Sequence, residues 1–181
     1  FMSRIATGCW DAVIVPQSSF KLLPVQPETM NEFIEAELDE LRDFLQQLKS
    51  SDDYDRRALK EIQKAIKRFE AKLADKSDMA KDSIDTITWE QLGIDLLVAD
   101  EFNMWKNLFF HTKMTRIAGL PNTDSQRAFD MFVKVRNLLQ RGKRFIGLTG
   151  TPLTNTMAEI FTMQRYFQYD TLVDLGLSHF D

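Results

Sequence analysis

Cysteine is nearly missing from this chain. Cys9 is the only one in 181 residues, so no internal disulfide can form, which fits a reducing compartment. Histidine is almost as scarce: His111 and His179, with one thiol, are too few for a structural zinc site. No apolar run approaches the roughly 20 residues that a membrane helix needs. No signal-peptide pattern is visible, and no internal repeat is evident. The rest is ordinary for a soluble globular protein, with 44% hydrophobic and 28% charged residues. The length suffices for one domain with a real core. The opening at Phe1 and the stop at "LSHFD" read as a piece cut from a longer protein.

The net charge of −4 is unevenly spread. Residues 28–82 hold 15 acids and 11 bases, and the remainder holds 12 of each. Within that remainder, 103–165 carries ten bases and three acids, Asp124, Asp130 and Glu159. A local excess of +7 is what a polyanion-binding face needs; a scatter of solvated charges is the plainer alternative.

Three segments emerge along the chain. In 10–20, the β-branched run "AVIVP" predicts a short buried strand that Pro16 forces to exit, and "QSSF" predicts a loop. From about Pro27 to Lys76, Ile34, Leu38, Leu41, Leu45 and Leu48 form one helical stripe. Leu59, Ile62, Ile66, Phe69 and Leu73 form another. The short polar "SSDDYD" between them predicts an antiparallel helical hairpin, an insertion with its linker at 27–82, and the stretch 77–87 reads as a polar linker. The hairpin is either a packed structural insertion or an arm facing a partner or nucleic acid.

The third segment alternates. "TWEQ" has capping-box spacing and opens a short turn that Gly93 ends. "IDLLVA" and "RFIGLT" read as strands. "TDSQRAFDMFVKVRNLLQRG" reads as an amphipathic helix capped by Asp124 or Ser125, with Phe129, Phe132, Val133 and Leu139 inward and Gly142 as its stop. "TMAEIFTMQRYFQ" reads as another, with Met157, Ile160, Phe161, Gln164 and Phe167 along one side and Asn155 as a cap. Buried strands joined by helices predict an α/β fold with a parallel sheet covered on both faces.

The first strand runs into Asp100 and Glu101. Adjacent carboxylates repel, and burying either one unpaired is costly, so something should offset them. Ligands of open parallel sheets gather outside the carboxyl ends of strands. A divalent metal held through water by Asp100 would balance its charge. Glu101 would then be free to orient or deprotonate an attacking water, the Walker B arrangement of nucleotide triphosphatases. The second strand ends in "GLTGTPLTN". There Gly150 permits an unusual backbone angle or a close approach, Pro152 stiffens the turn, and Thr149 and Thr151 can hydrogen-bond a neighbouring carboxylate. A well-capped strand-to-helix turn would also use these residues.

"DLLVADEFNMWKNL" followed by "GLTGTPLTNTMAEIFTMQRYFQ" resembles motifs II and III of Snf-type superfamily two helicases and translocases. More narrowly, it resembles large phage and mobile-element proteins that join such a helicase to an adenine-specific DNA methyltransferase. "RIATGCWDAVIVPQSSF", "TKMTRIAGLPNTDSQRAFDMF" and "LGLSHFD" also match. The resemblance implies a RecA-like ATP-binding lobe over 1–26 and 83–181, using ATP and magnesium. Asp100 corresponds to the magnesium-coordinating acid and Glu101 to the catalytic base. Asn103, Thr149, Gly150 and Thr151 correspond to the elements that couple the ATP site to the DNA track. Ser18, Ser19, Phe20, Lys106 and Asn107 fall at DNA-contact positions.

The implied partners are double-stranded DNA, a second helicase lobe and a methyltransferase domain of the same chain, in the cytoplasm of a bacterial or phage-infected cell and away from any membrane. Where the family has Asp-Glu-Ala-His, this chain has Asp100-Glu101-Phe102-Asn103. Asn103 can hydrogen-bond but cannot take a charge. No G-x-x-x-x-G-K-[ST] phosphate loop occurs. The resemblance places that loop upstream and the arginine fingers in the second lobe, so this piece alone should not turn over ATP. The competing expectation is a scaffold lobe whose catalysis has decayed. An unrelated metal-dependent hydrolase would need more ligands than Asp100, Glu101 and His111 offer.

Overall fold

A computed structural model describes residues 2–50, 56–79, 86–108, 125–154 and 157–178. In chain order the elements are α1 (Met2–Thr7), α2 (Gln17–Phe20), α3 (Pro27–Ser50), α4 (Arg56–Met79), β1 (Leu96–Ala99), α5 (Gln126–Gln140), β2 (Arg144–Gly147) and α6 (Met157–Asp174). Single 3₁₀ turns at Trp89–Leu92 and Phe102–Trp105 flank β1. The fold is helix-rich α/β.

β1 and β2 pair in parallel, in a register that sets Leu96 against Arg144 and Ala99 against Gly147. The crossover between them contains α5, as parallel neighbours require. Ser125 caps α5 by accepting from the Ala128 amide at 3.3 Å. Asp124, the other candidate cap, lies outside the described residues, as does Asn155. Beyond α5, Gly142 takes a φ of 72°, the left-handed stop that its residue type permits.

The sheet is covered on one face only among the described residues. Leu97, Ala99 and Phe145 pack inward, while Leu96, Val98 and Ile146 are exposed. "AVIVP" is not a strand: Val13 and Ile14 are exposed, Ile14 at 95%. The run is non-helical and unpaired with either strand. High β-propensity cannot make a strand without a partner ladder to accept its backbone groups. "QSSF" is a helical turn rather than a loop, with the Ser19 and Phe20 amides donating to the Pro16 carbonyl at 2.9 Å.

The helical pair matches its apolar stripes. Ile34, Leu38, Leu41 and Leu48 are buried on α3, and Ile62 and Phe69 on α4. Leu45 faces residues 60–67 while Leu38 faces the stretch around Leu73, so the helices run antiparallel. The turn 51–55 lies outside the described residues, and α4 continues to Met79, into the expected linker. The pair is no detached arm. Its core is continuous with Trp89, Leu92, Phe129, Val133 and Leu138.

α6 buries the expected face only in part: Phe161 is buried and Ile160 and Gln164 are half-buried. Met157 and Phe167 are exposed, whereas Glu159, Thr162, Arg165 and Tyr166 are buried. Each of these polar residues has a protein partner, which is what makes its burial tolerable. Arg165 reaches Glu37 of α3 at 3.1 Å, both side chains being under a tenth exposed. The Tyr166 hydroxyl meets the Trp105 and Ala128 carbonyls at 3.1 and 2.9 Å. Thr162 donates back to the Ala158 carbonyl.

Candidate functional site

Because β1 and β2 are parallel neighbours in register, their carboxyl ends lie side by side. Two bonds extend the pairing past the strands: the Leu148 amide donates to the Ala99 carbonyl, and the Phe102 amide to the Leu148 carbonyl, each at 2.8 Å. The acid-bearing turn is therefore stitched to the threonine-bearing loop.

Asp100 and Glu101 are both exposed. Neither suffers the burial that would demand a counter-charge, so water already answers the question their adjacency raises. Asp100 Oδ1 accepts from the Glu101 amide at 2.9 Å. Glu101 has φ 53° and ψ 47°, left-handed and the only such non-glycine residue among those described. Holding an L-residue there costs about 1–2 kcal/mol. The 3₁₀ turn behind it secures the geometry, anchored by Phe102 and Trp105 at 2% and 4% exposure.

Asn103 joins the two strand ends. With its amide nitrogen toward Glu101, both polar atoms find complementary partners. The nitrogen donates to Glu101 Oε2 at 3.1 Å, to the Glu101 carbonyl at 3.0 Å and to Thr149 Oγ1 at 3.3 Å. The oxygen accepts from Thr151 Oγ1 at 3.3 Å. The loop is braced internally by the Thr151 amide donating to Thr149 Oγ1 at 3.1 Å. Gly150 has ordinary φ and open space where a Cβ would stand, so the close approach falls elsewhere, at Gly147.

Lys106 makes a second bridge. Its Nζ lies 2.8 Å from Glu159 Oε1 and also hydrogen-bonds Thr154 Oγ1. Glu159 Oε2 accepts from the Thr154 amide at 2.7 Å, satisfying a backbone donor just before α6. Asn107 is exposed beside it. On α2, Ser18 is exposed, whereas Ser19 and Phe20 are half-buried. Phe20 packs edge-on against Trp89 at 5.7 Å. Its carbonyl accepts from Lys134 Nζ at 3.0 Å. Gln17 Nε2 donates to the Asp100 carbonyl at 3.3 Å, so α2 abuts the acid turn.

The basic excess of 103–165 is largely paired inside the protein. Lys134 is fully buried against Asp130 at 2.7 Å, and burial lowers its pKa. Arg136 holds Asp170 at 2.6 Å, Lys143 holds Asp95 at 2.5 Å, and Arg127 donates to the Met104 carbonyl at 2.8 Å. Lys113, Arg116 and His111 lie outside the described residues. Glu159 and Gln17 were not singled out from the sequence. The one available signal for Glu159 was its position, a rare acid in a basic stretch and in the first turn of a helix.

Among the described residues no three His, Cys, Asp or Glu side chains gather closely enough to hold a metal ion by themselves. One carboxylate with nearby hydroxyls suits magnesium, which keeps several waters and takes the remainder of its shell from phosphates.

A parallel pair with acids at one carboxyl end, a threonine loop at the next and an amide between them defines a strand-end site of the α/β class. The model of a family described as "Probable helicase domain" matches residues 1–181, and the chain belongs to that family. No curated protein and no solved structure matches it. Among the described residues no helix is long and apolar enough to cross a membrane.

Proposed function

We propose that this chain is the Walker B and motif III part of a RecA-like ATP-binding lobe, in a parent that is a DNA-dependent ATPase of the Snf-type helicase and translocase kind. The observation that carries this reading is the Asn103 amide, in contact with Glu101 on one side and with Thr149 and Thr151 on the other. A group that senses the catalytic base and the adjoining loop together is what coupling hydrolysis to movement requires. Asp100 is the residue that would hold magnesium through water, and the ion would supply charge neutralisation for a polyphosphate. Glu101 would orient a water and accept its proton. Asn103 holds the Glu101 carboxylate by a hydrogen bond.

Double-stranded DNA as the track, a second lobe and a linked adenine methyltransferase rest on the motif resemblance, as does a cytoplasmic setting. In the full-length parent, Glu101→Gln should abolish DNA-stimulated ATP turnover and leave duplex binding unchanged. Undiminished turnover in that variant would refute the proposal. A second reading, a scaffold lobe without hydrolysis, is favoured by the substitution of Phe102 and Asn103 for the family's small residue and histidine. An intact phosphate loop in the parent, together with measurable turnover, removes it.

A further inference from the structure

The hairpin's charges are sorted by helix. Residues 27–50, which form α3, carry seven acids and two bases, whereas residues 56–79, which form α4, carry eight bases and four acids. The sorting produces two different hollows along the pair. The one toward the α3 N-terminal end is lined by Glu35, Asp39, Arg42 and Glu70 over Leu38 and Leu73. The other, of about 490 Å³, lies nearer the hairpin turn. Lys60, Lys64 and Lys67 line it over a floor of Leu45 and Ile66.

The three lysines recur at spacings of four and three, so they share one face of α4. All three are exposed. Glu70, at the groove's edge, already sits against Arg42 at 3.3 Å. Glu61 meets Lys64 at 3.2 Å, but both side chains are about 70% exposed, and such pairs exchange readily for a stronger anion. The ammonium groups span about 10 Å of helix. That length equals the axial rise of about three nucleotides of a duplex, at about 3.4 Å of helix axis each.

We infer that this groove on the α3–α4 hairpin docks the phosphate backbone of a nucleic acid, giving the domain a contact surface separate from the strand-end site. The occupant is argued from charge complementarity and from membership of a helicase-domain family, whose substrates are polyanionic. An acidic protein segment is the competing occupant. The inference does not depend on ATP chemistry at Asp100 and Glu101.

The test is fluorescence anisotropy of a labelled DNA duplex titrated with the whole chain at several salt concentrations, comparing wild type with Lys60→Gln/Lys64→Gln/Lys67→Gln. Helix content by circular dichroism checks that the exposed substitutions leave the fold intact. Loss of three phosphate contacts should reduce the slope of log affinity against log salt by about 2.7. The salt-induced weakening between about 50 and 200 mM then shrinks roughly 40-fold. An unchanged slope, or no duplex binding by the wild type, overturns the inference. Displacement of the duplex by poly-glutamate at equal charge also overturns it, in favour of an acidic protein segment. Glu101→Gln should leave the slope unaltered, so failure here is distinguishable from failure of the ATPase reading.

Discussion

Replacing Gly147 with alanine puts a methyl group where the protein has no room. A Cβ at this position would lie 2.8 and 2.9 Å from Cγ and Cδ1 of Phe102 and 3.0 Å from Cζ of Phe167. The two neighbours differ in their ability to yield. Phe167 is 43% exposed and presents the far end of its ring, so it can swing outward. Phe102 presents the near end of a ring that is 2% exposed. Trp105, Phe145, Tyr166 and Phe167 surround it, with ring centroids 5.0–6.0 Å away. Its backbone is also fixed, by the bond from its amide to the Leu148 carbonyl. Overpacking of this kind costs about 1–3 kcal/mol. Removing a glycine from a strand returns about 0.5–1 kcal/mol. At mid-range the clash should win by about 1 kcal/mol, a fall in Tm of roughly 2–4 °C for a chain of this size. Calorimetry of Gly147→Ala in the wild-type and Phe102→Leu backgrounds checks the mechanism. If Phe102 is the obstacle, most of the penalty disappears in the second background. An equal loss in both, or none in either, would refute the packing argument.

Further outcomes follow from other contacts. Glu101→Gly should be as stable as wild type or slightly more so in urea unfolding, because glycine accepts the left-handed backbone, and it should exceed Glu101→Val by about 1–2 kcal/mol. Equal stability of the two variants would argue against strain at that turn. Arg165→Met leaves Glu37 buried without its guanidinium and should cost about 3–5 kcal/mol, much of it recovered in Glu37→Leu/Arg165→Met. A loss under 1 kcal/mol for the single variant contradicts the buried pair. Burial and the nearby carboxylates of Glu40 and Glu37 raise the Tyr169 phenol well above its ordinary value of 10.0. A group whose folded pKa is raised stabilises below its unfolded pKa and loses that contribution as pH climbs toward the folded one. Stability should therefore decline above about pH 10, and Tyr169→Phe should flatten that decline in alkaline melts.

The parts of the fold with strong period were legible in the sequence. The stripes of α3 and α4 are buried or half-buried as their spacing predicts, with Leu45, Leu59, Ile66 and Leu73 at the margin, and Phe129, Phe132 and Val133 of α5 are buried. Capping chemistry was legible too. Gln91 accepts from the Thr88 amide at 2.9 Å, and Gly93 ends the turn with φ 66°. "AVIVP" misled because propensity is a property of the segment, whereas a strand needs a neighbour. α6 misled in part because polar residues share its buried face with Ala158, Phe161 and Leu172, while Met157 and Phe167 stay exposed. Glu159, Arg165 and Tyr166 are drawn inward by partners on other elements, which no periodicity reports. At the candidate site, the adjacency of Asp100 and Glu101 to the threonine loop could be anticipated from two strand ends. The left-handed Glu101, the demand on Gly147 rather than Gly150 and the internal pairing of the basic stretch are products of tertiary contact.

α6 is gripped at both ends of its first three turns. Glu159 is fastened to Lys106 and to the loop that leaves β2, while Arg165 and Tyr169 are fastened to Glu37 and Glu40 on the hairpin. About 9 Å of unbroken helix separates Glu159 from Arg165, and the backbone kinks only at Gln168, just before Tyr169. It works as a connecting rod. A threonine loop that moves while keeping its Thr154–Glu159 hydrogen bonds pulls on α6, and through Arg165 and Glu37 on the hairpin.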